Sequence, residues 1–183
     1  MPPRKTWTSG SSRSRRDDSG AAVSEDRFPH LSATGDARMV DVSDKAVTAR
    51  SATAAGRVLL STDCVAALRE GSVPKGDALA VARIAGIQAA KKTPDLIPLC
   101  HPLFISGADV TAEVTDEGVE ITATVKTTER TGVEMEALTA VAVAGLAVID
   151  MIKAIDRAAV ISDVRVLSKA GGRRGDWSRE DDS

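Results

Sequence analysis

Glu134 and Glu136 open a segment, and Asp150 and Lys153 close it, whose interior is almost wholly apolar. Between Ala137 and Met151 only Thr139 and Asp150 carry polar side chains. A charge set into such a surface costs several kcal/mol unless it is paired or used. Asp150 and Lys153 are i,i+3, so on a helix they share one face and can pair. A lysine held beside a carboxylate is equipped to move a proton. Glu134 and Glu136 are i,i+2 and point to nearly opposite sides of a helix. One of them then reaches a site while the other braces it. His101 lies in Leu96-Ile-Pro-Leu-Cys-His-Pro-Leu103, where Pro98 and Pro102 stiffen the backbone, as a positioned acid, base or phosphate ligand requires.

Cations gather near loop and element ends: Arg50, Lys75, Lys169, Arg173 and Arg174 among them. Lys75-Gly76 precedes a helix, whose N-terminal N–H groups add to the attraction for an anion. Each feature also has a bland reading. The two glutamates suit the first turn of any helix, Asp150–Lys153 is an ordinary surface pair, and His101 is a satisfied loop histidine. Cys100 and His101 are adjacent with no second ligand cluster, which argues against zinc. Glu136 and Asp150 lie roughly 21 Å apart along a helix. A site using both ends therefore needs two subunits or a long substrate.

The elements that must position these groups follow from period and punctuation. Val47 to Ala54 and Arg57 to Leu60 read as a strand, and Ser61-Thr-Asp63 as a helix start that runs to Gly71. A second helix opens at Lys75-Gly-Asp77 and ends before Pro94. Val110, Ala112 and Val114, then Val119, Ile121, Ala123 and Val125, alternate with polar residues across Asp116-Glu-Gly118, which predicts a hairpin. The apolar helix follows, ending near Asp156, and Val164 to Ser168 is the last strand. Without the first helix the order is β-α-β-β-α-β, an α+β, ferredoxin-like arrangement with a four-stranded antiparallel sheet and helices on one face. One sheet face cannot cover a helix that is apolar all round, so an oligomer is expected.

Residues 1–37 are rich in Ser, Arg and Pro and read as a disordered tail; 38–170 form the folded body, and 171–183 a Gly-rich, charged tail. Arg4, Lys5, Arg13, Arg15 and Arg16 give the first residues a transit-peptide look, but no apolar run follows. With 24 Lys/Arg against 26 Asp/Glu and almost no aromatics, nucleic acid is a poor partner. Two cysteines suit a reducing, cytoplasmic setting. No window reads as a membrane span. No G-x-x-x-x-G-K-[ST] or G-x-G-x-x-G occurs, which removes P-loop and dinucleotide-binding functions.

Taken in order, Met39-Val-Asp-Val-Ser, Lys75-Gly-Asp, Ala82-Arg-Ile-Ala-Gly-Ile-Gln-Ala-Ala-Lys91, Leu96 to Leu103, Thr131-Gly-Val-Glu-Met-Glu-Ala-Leu-Thr139, Asp150-Met-x-Lys153 and Lys169-x-Gly-Gly172 resemble the MoaC family, the cyclic pyranopterin monophosphate synthases of molybdenum cofactor biosynthesis. The resemblance spans about 38–176. It implies a lyase that converts 3′,8-cyclo-7,8-dihydroguanosine triphosphate, a GTP-derived nucleotide, to cyclic pyranopterin monophosphate and pyrophosphate. It implies a ferredoxin-like fold and a homohexamer, a trimer of dimers with the site between subunits. By position, Asp150 and Lys153 match the catalytic pair, and Lys75, His101, Glu134 and Glu136 other active-site residues. Leu99, Cys100, His101, Met135 and Glu136 match substrate contacts, and Arg50 and Lys169 basic residues of the same site. Ile152 inside the Asp-Met-x-Lys motif and Arg173-Arg174 are the departures. No resident metal is expected, and Mg2+ enters only through the substrate phosphates. The alternative is a non-catalytic ferredoxin-like module that binds a small molecule.

Overall fold

The computed structural model describes residues 36–173 and 175–179; the proposed tail before residue 36 lies outside them. Nine elements run in the order β1 (Thr48–Leu59), α1 (Thr62–Glu70), α2 (Ala78–Ala90), α3 (Thr93–Leu96), β2 (Ile105–Val114), β3 (Gly118–Glu129), α4 (Glu134–Ile152), β4 (Val160–Ala170) and β5 (Trp177–Ser178). They form one antiparallel sheet in the order β2-β3-β1-β4-β5. The four long strands have the ferredoxin-like order. The expected four-stranded sheet gains a fifth strand at the β4 edge. Two residues long and preceded by glycines, β5 carries no alternating pattern to read.

Local chemistry sets the ends. Ser61 caps α1 by accepting the Cys64 N–H, and Gly71 closes that helix at φ 67. Asp77 caps α2 by accepting the Ala80 N–H at 2.8 Å. α2 ends at Ala90, before Pro94 as expected, and Pro94 sits in the first turn of a further short helix, α3. The long helix ends at Ile152 with Lys153 as its cap, earlier than the Asp156 expected from its apolar run.

Val119, Ile121, Ala123 and Val125 of β3 and Ala52, Ala54 and Val58 of β1 face the core, buried beneath the helices. α4 packs on β1, β3 and β4, while α2 packs on β2 and α4. Small residues allow close approach. A Cβ at Gly86 of α2 would stand 3.0 Å from the Ala140 carbonyl of α4, and one at Gly56 of β1 2.8 Å from Val141 Cγ1. Buried charge at Asp156 is satisfied: its Oδ2 accepts the Ser61 N–H at 2.6 Å and its Oδ1 the Ala158 N–H at 2.9 Å.

The single chain leaves α4 partly uncovered, as one sheet face must: Leu146 is 58% exposed, and Ile84 and Val81 of α2 are exposed at 59% and 41%. One expectation about α4 changes. It is, by composition and length, apolar enough to cross a bilayer, at 19 residues and a mean hydropathy of 1.9. Its packing explains that composition: 56% of the apolar window is buried inside the fold.

Candidate active site

The candidate residues fall into two groups, one at each end of α4. At the start, Lys169 of β4 and Glu134 of α4 form an ion pair at 2.9 Å. The β1–β4 register sets Ala52 opposite Lys169 and Ser51 opposite Ala170. This brings Arg50 of β1 to the Gly171–Gly172 turn. Both glycines have positive φ (86 and 82), and a side chain on Gly172 would run into the Arg50 guanidinium. Arg50 Nε donates to the Glu129 carbonyl at 2.9 Å, which fixes its stem beside the same turn.

Glu136, one residue beyond Met135, is 3% exposed. Burial pushes its carboxyl up; its own backbone N–H opposes this and the Glu134 charge adds to it. The loop before β2 closes over this end. Burial also pushes the Cys100 thiol up, with the Glu136 charge adding to it, so Cys100 and Glu136 are electrostatic neighbours. His101 Nε2 donates to the Val40 carbonyl at 2.8 Å. A carbonyl only accepts, so Nε2 carries the hydrogen and Nδ1 is left as the nitrogen for the site. Leu99 and Met135 are 37% and 38% exposed, an apolar rim beside these polar groups.

At the other end Asp150 holds two ammonium groups. Lys75 Nζ meets Oδ2 and Lys153 Nζ meets Oδ1, each at 2.9 Å. Lys75 also donates to the Asp150 carbonyl at 2.8 Å, meeting the negative end of the helix. The hydrogen bonds from Lys75 and then Lys153 hold the Asp150 carboxyl down at about 2. The Asp150 side chain is 58% exposed, where ion pairs add little stability. A Lys-Asp-Lys cluster there is poorly explained as a fold stabiliser and well explained as a place to hold an anion and move a proton.

The chain thus brings Arg50, Lys169, Glu134, Glu136, Cys100 and His101 to one end, and Lys75, Asp150 and Lys153 to the other. It does not join them: Glu136 and Asp150 are roughly 21 Å apart at the rise of an α-helix. Sequence reasoning passed over Arg157, which lines a cleft with Lys75, Lys153 and Ala154. Its signal was the i,i+4 spacing from Lys153. Gly171 and Gly172 read as the start of a Gly-rich tail and as part of the Lys169-x-Gly-Gly172 motif, although a glycine pair after a lysine is also the mark of a tight turn against a neighbour. Among the described residues no three His, Cys, Asp or Glu side chains gather as a metal cage.

Comparison with known proteins bears on this arrangement. The family model described as MoaC family matches residues 39–172. A cyclic pyranopterin monophosphate synthase of Streptomyces avermitilis is 66% identical over 155 residues, covering 85% of this chain and 91% of that protein. One of Nocardioides is 66% identical over 156 residues, covering 84% and 96%. One of Chloroflexus aurantiacus is 55% identical over 152 residues, covering 82% and 93%. All the candidate site residues lie within the matched range.

Proposed function

The chain belongs to the MoaC family, and from that membership we propose that it is a cyclic pyranopterin monophosphate synthase, a phosphorus–oxygen lyase of molybdenum cofactor biosynthesis. Its substrate is 3′,8-cyclo-7,8-dihydroguanosine 5′-triphosphate, and its products are cyclic pyranopterin monophosphate and pyrophosphate. The observation that carries this reading beyond resemblance is the exposed Lys75–Asp150–Lys153 cluster, with both ammonium groups 2.9 Å from one carboxylate.

The reaction sets three demands. The triphosphate and the departing pyrophosphate need cations, which Lys75, Arg50, Lys169 and His101 supply. Opening and rebuilding the purine-derived ring needs protons moved, a role we give to Lys153, with the Asp150 carboxylate orienting its ammonium. Cyclic phosphate formation needs a sugar hydroxyl to lose its proton as its oxygen bonds to the α-phosphorus and the bond to the β-phosphate breaks. Glu136 suits that step better than Glu134, because Glu134 is engaged by Lys169 while Glu136 is buried with a raised proton affinity. With Phe104 the one aromatic between residues 38 and 170, the base is held by hydrogen bonds and the Leu99–Met135 rim rather than by stacking. Mg2+, if it takes part, rides on the substrate phosphates, and no step is assigned to it.

The two ends of α4 meet across subunits in this proposal. A second copy covers the exposed Val81, Ile84 and Leu146, and a homohexamer built as a trimer of dimers satisfies both that surface and the divided site. Two free thiols, Cys64 and Cys100, are in keeping with a cytoplasmic location. The test is a single-turnover assay with the cyclised nucleotide. Pyrophosphate and pterin should appear together, and pyrophosphate without pterin would refute the assigned chemistry.

A further inference from the structure

We infer that Arg157 is a further phosphate-binding residue, one that grips the outer phosphates of the substrate and the pyrophosphate formed from them in the cleft beside Lys75 and Lys153. The inference rests on the reaction proposed above. It adds a residue outside the set that the resemblance carries.

Three observations carry it. Lys75, Lys153, Ala154 and Arg157 line a cleft of ≈ 450 Å³ just past the end of α4. That is within the size range of small-molecule sites. The second observation is the charge balance. Asp150 serves both lysines, through Oδ2 and Oδ1 separately, so one carboxylate answers two ammonium groups. Arg157 then raises the cleft to three cations against one anion. Its neighbour Asp156 keeps its charge, but both Asp156 oxygens accept backbone N–H groups, from Ser61 and Ala158, and it makes no ion pair with Arg157. Among the described residues Arg157 has no ion pair and no hydrogen bond, so its donors are uncommitted in an exposed position.

The third observation is chemical. Lysine ammonium groups are point charges, and here both are already turned toward a carboxylate. A guanidinium presents a planar fork that takes two phosphate oxygens at once. An uncommitted fork beside two committed ammonium groups is the part of this cleft best suited to a multiply charged, tetrahedral group. A simple solvated surface arginine would sit equally well outside any cleft, and it predicts no loss when removed.

The experiment is calorimetric titration of pyrophosphate into the wild type, Arg157→Lys and Arg157→Ala, with turnover measured on the same preparations. Arg165→Ala serves as the control for lost surface charge, since among the described residues the Arg165 side chain bonds only the Asp163 carbonyl, at 2.8 Å. Pyrophosphate affinity should fall about tenfold or more in Arg157→Ala and by less in Arg157→Lys, with no change in the control. KM should rise in parallel, with kcat largely kept. Unchanged pyrophosphate binding in a folded Arg157→Ala, or no binding in the wild type, overturns the inference. A wild type that binds pyrophosphate through Arg157 yet yields no pterin keeps the inference and overturns the reaction.

Discussion

Glu134 and Glu136 stand one residue apart at the start of α4 and meet opposite surroundings: Glu134 is tied to Lys169 at 2.9 Å, while Glu136 is 3% exposed with no ion pair among the described residues. The helical period produces this split by turning the two side chains to different sides. One acid is a brace and the other is poised to exchange a proton.

Glu136 has a raised proton affinity in the folded chain, so its ionisation opposes folding. Stability should therefore decline as pH rises from the ordinary glutamate range through the folded value, and the penalty persists above it. Glu136→Gln should melt higher than the wild type at pH 8 and show a flatter pH profile, while kcat falls by about 10²–10⁴-fold. A variant that melts lower at pH 8 would mean the carboxylate is stabilised by something other than these neighbours.

Asp150 behaves in the opposite sense. Held at about 2 by Lys75 and Lys153, it stays ionised across the working range, and its contribution to the fold is lost only as pH drops below the ordinary aspartate range toward that value. Any acid limb in the pH–rate profile above about pH 5 therefore belongs to another group, given the usual aspartate range. Asp150→Asn should leave that limb in place and lower kcat by about 10²-fold or more through loss of the ammonium geometry. Disappearance of the limb in this variant would assign it to Asp150 after all.

Mixing tests the divided site. Glu136→Gln and Lys153→Ala chains, each inactive alone, should regain roughly a quarter of wild-type activity after co-refolding, because random pairing of two copies leaves that share of sites intact. Activity that stays at the level of the separate variants would place both residues in one chain's site.

The turn behind Arg50 depends on the C-terminal segment. Asp176 Oδ1 accepts the Gly171 N–H at 2.9 Å, and β5 pairs Trp177 with Lys169. Asp176→Ala should raise KM several-fold by loosening Arg50 and Lys169, whereas Asp176→Asn, whose amide oxygen still accepts, should keep KM near the wild type. Equal KM values for the two variants would detach this segment from the site.

Much of the fold was legible because the polar and apolar residues alternate cleanly in β3 and the caps at Ser61, Gly71 and Asp77 carry their own chemistry. β5 was not, since its pairing is settled by the neighbouring strand and the Asp176 anchor rather than by its own two residues. The candidate residues were legible as types and as motifs. Their partners were less so: that Lys75 would join Asp150 depends on how α2 packs against α4, and nothing local to Lys75 encodes it.

The sheet order also governs how the chain is assembled in time. β1 lies between β3 and β4, so β1, the first of the described strands to be made, has neither neighbour until Gly118–Glu129, and then Val160–Ala170, have been made. Its pairings span most of the body, which makes for slow closure of the central ladder. During synthesis the Ala-rich β1 waits unpaired, and its lack of large apolar side chains before Val58 keeps that wait from becoming a nucleus for aggregation.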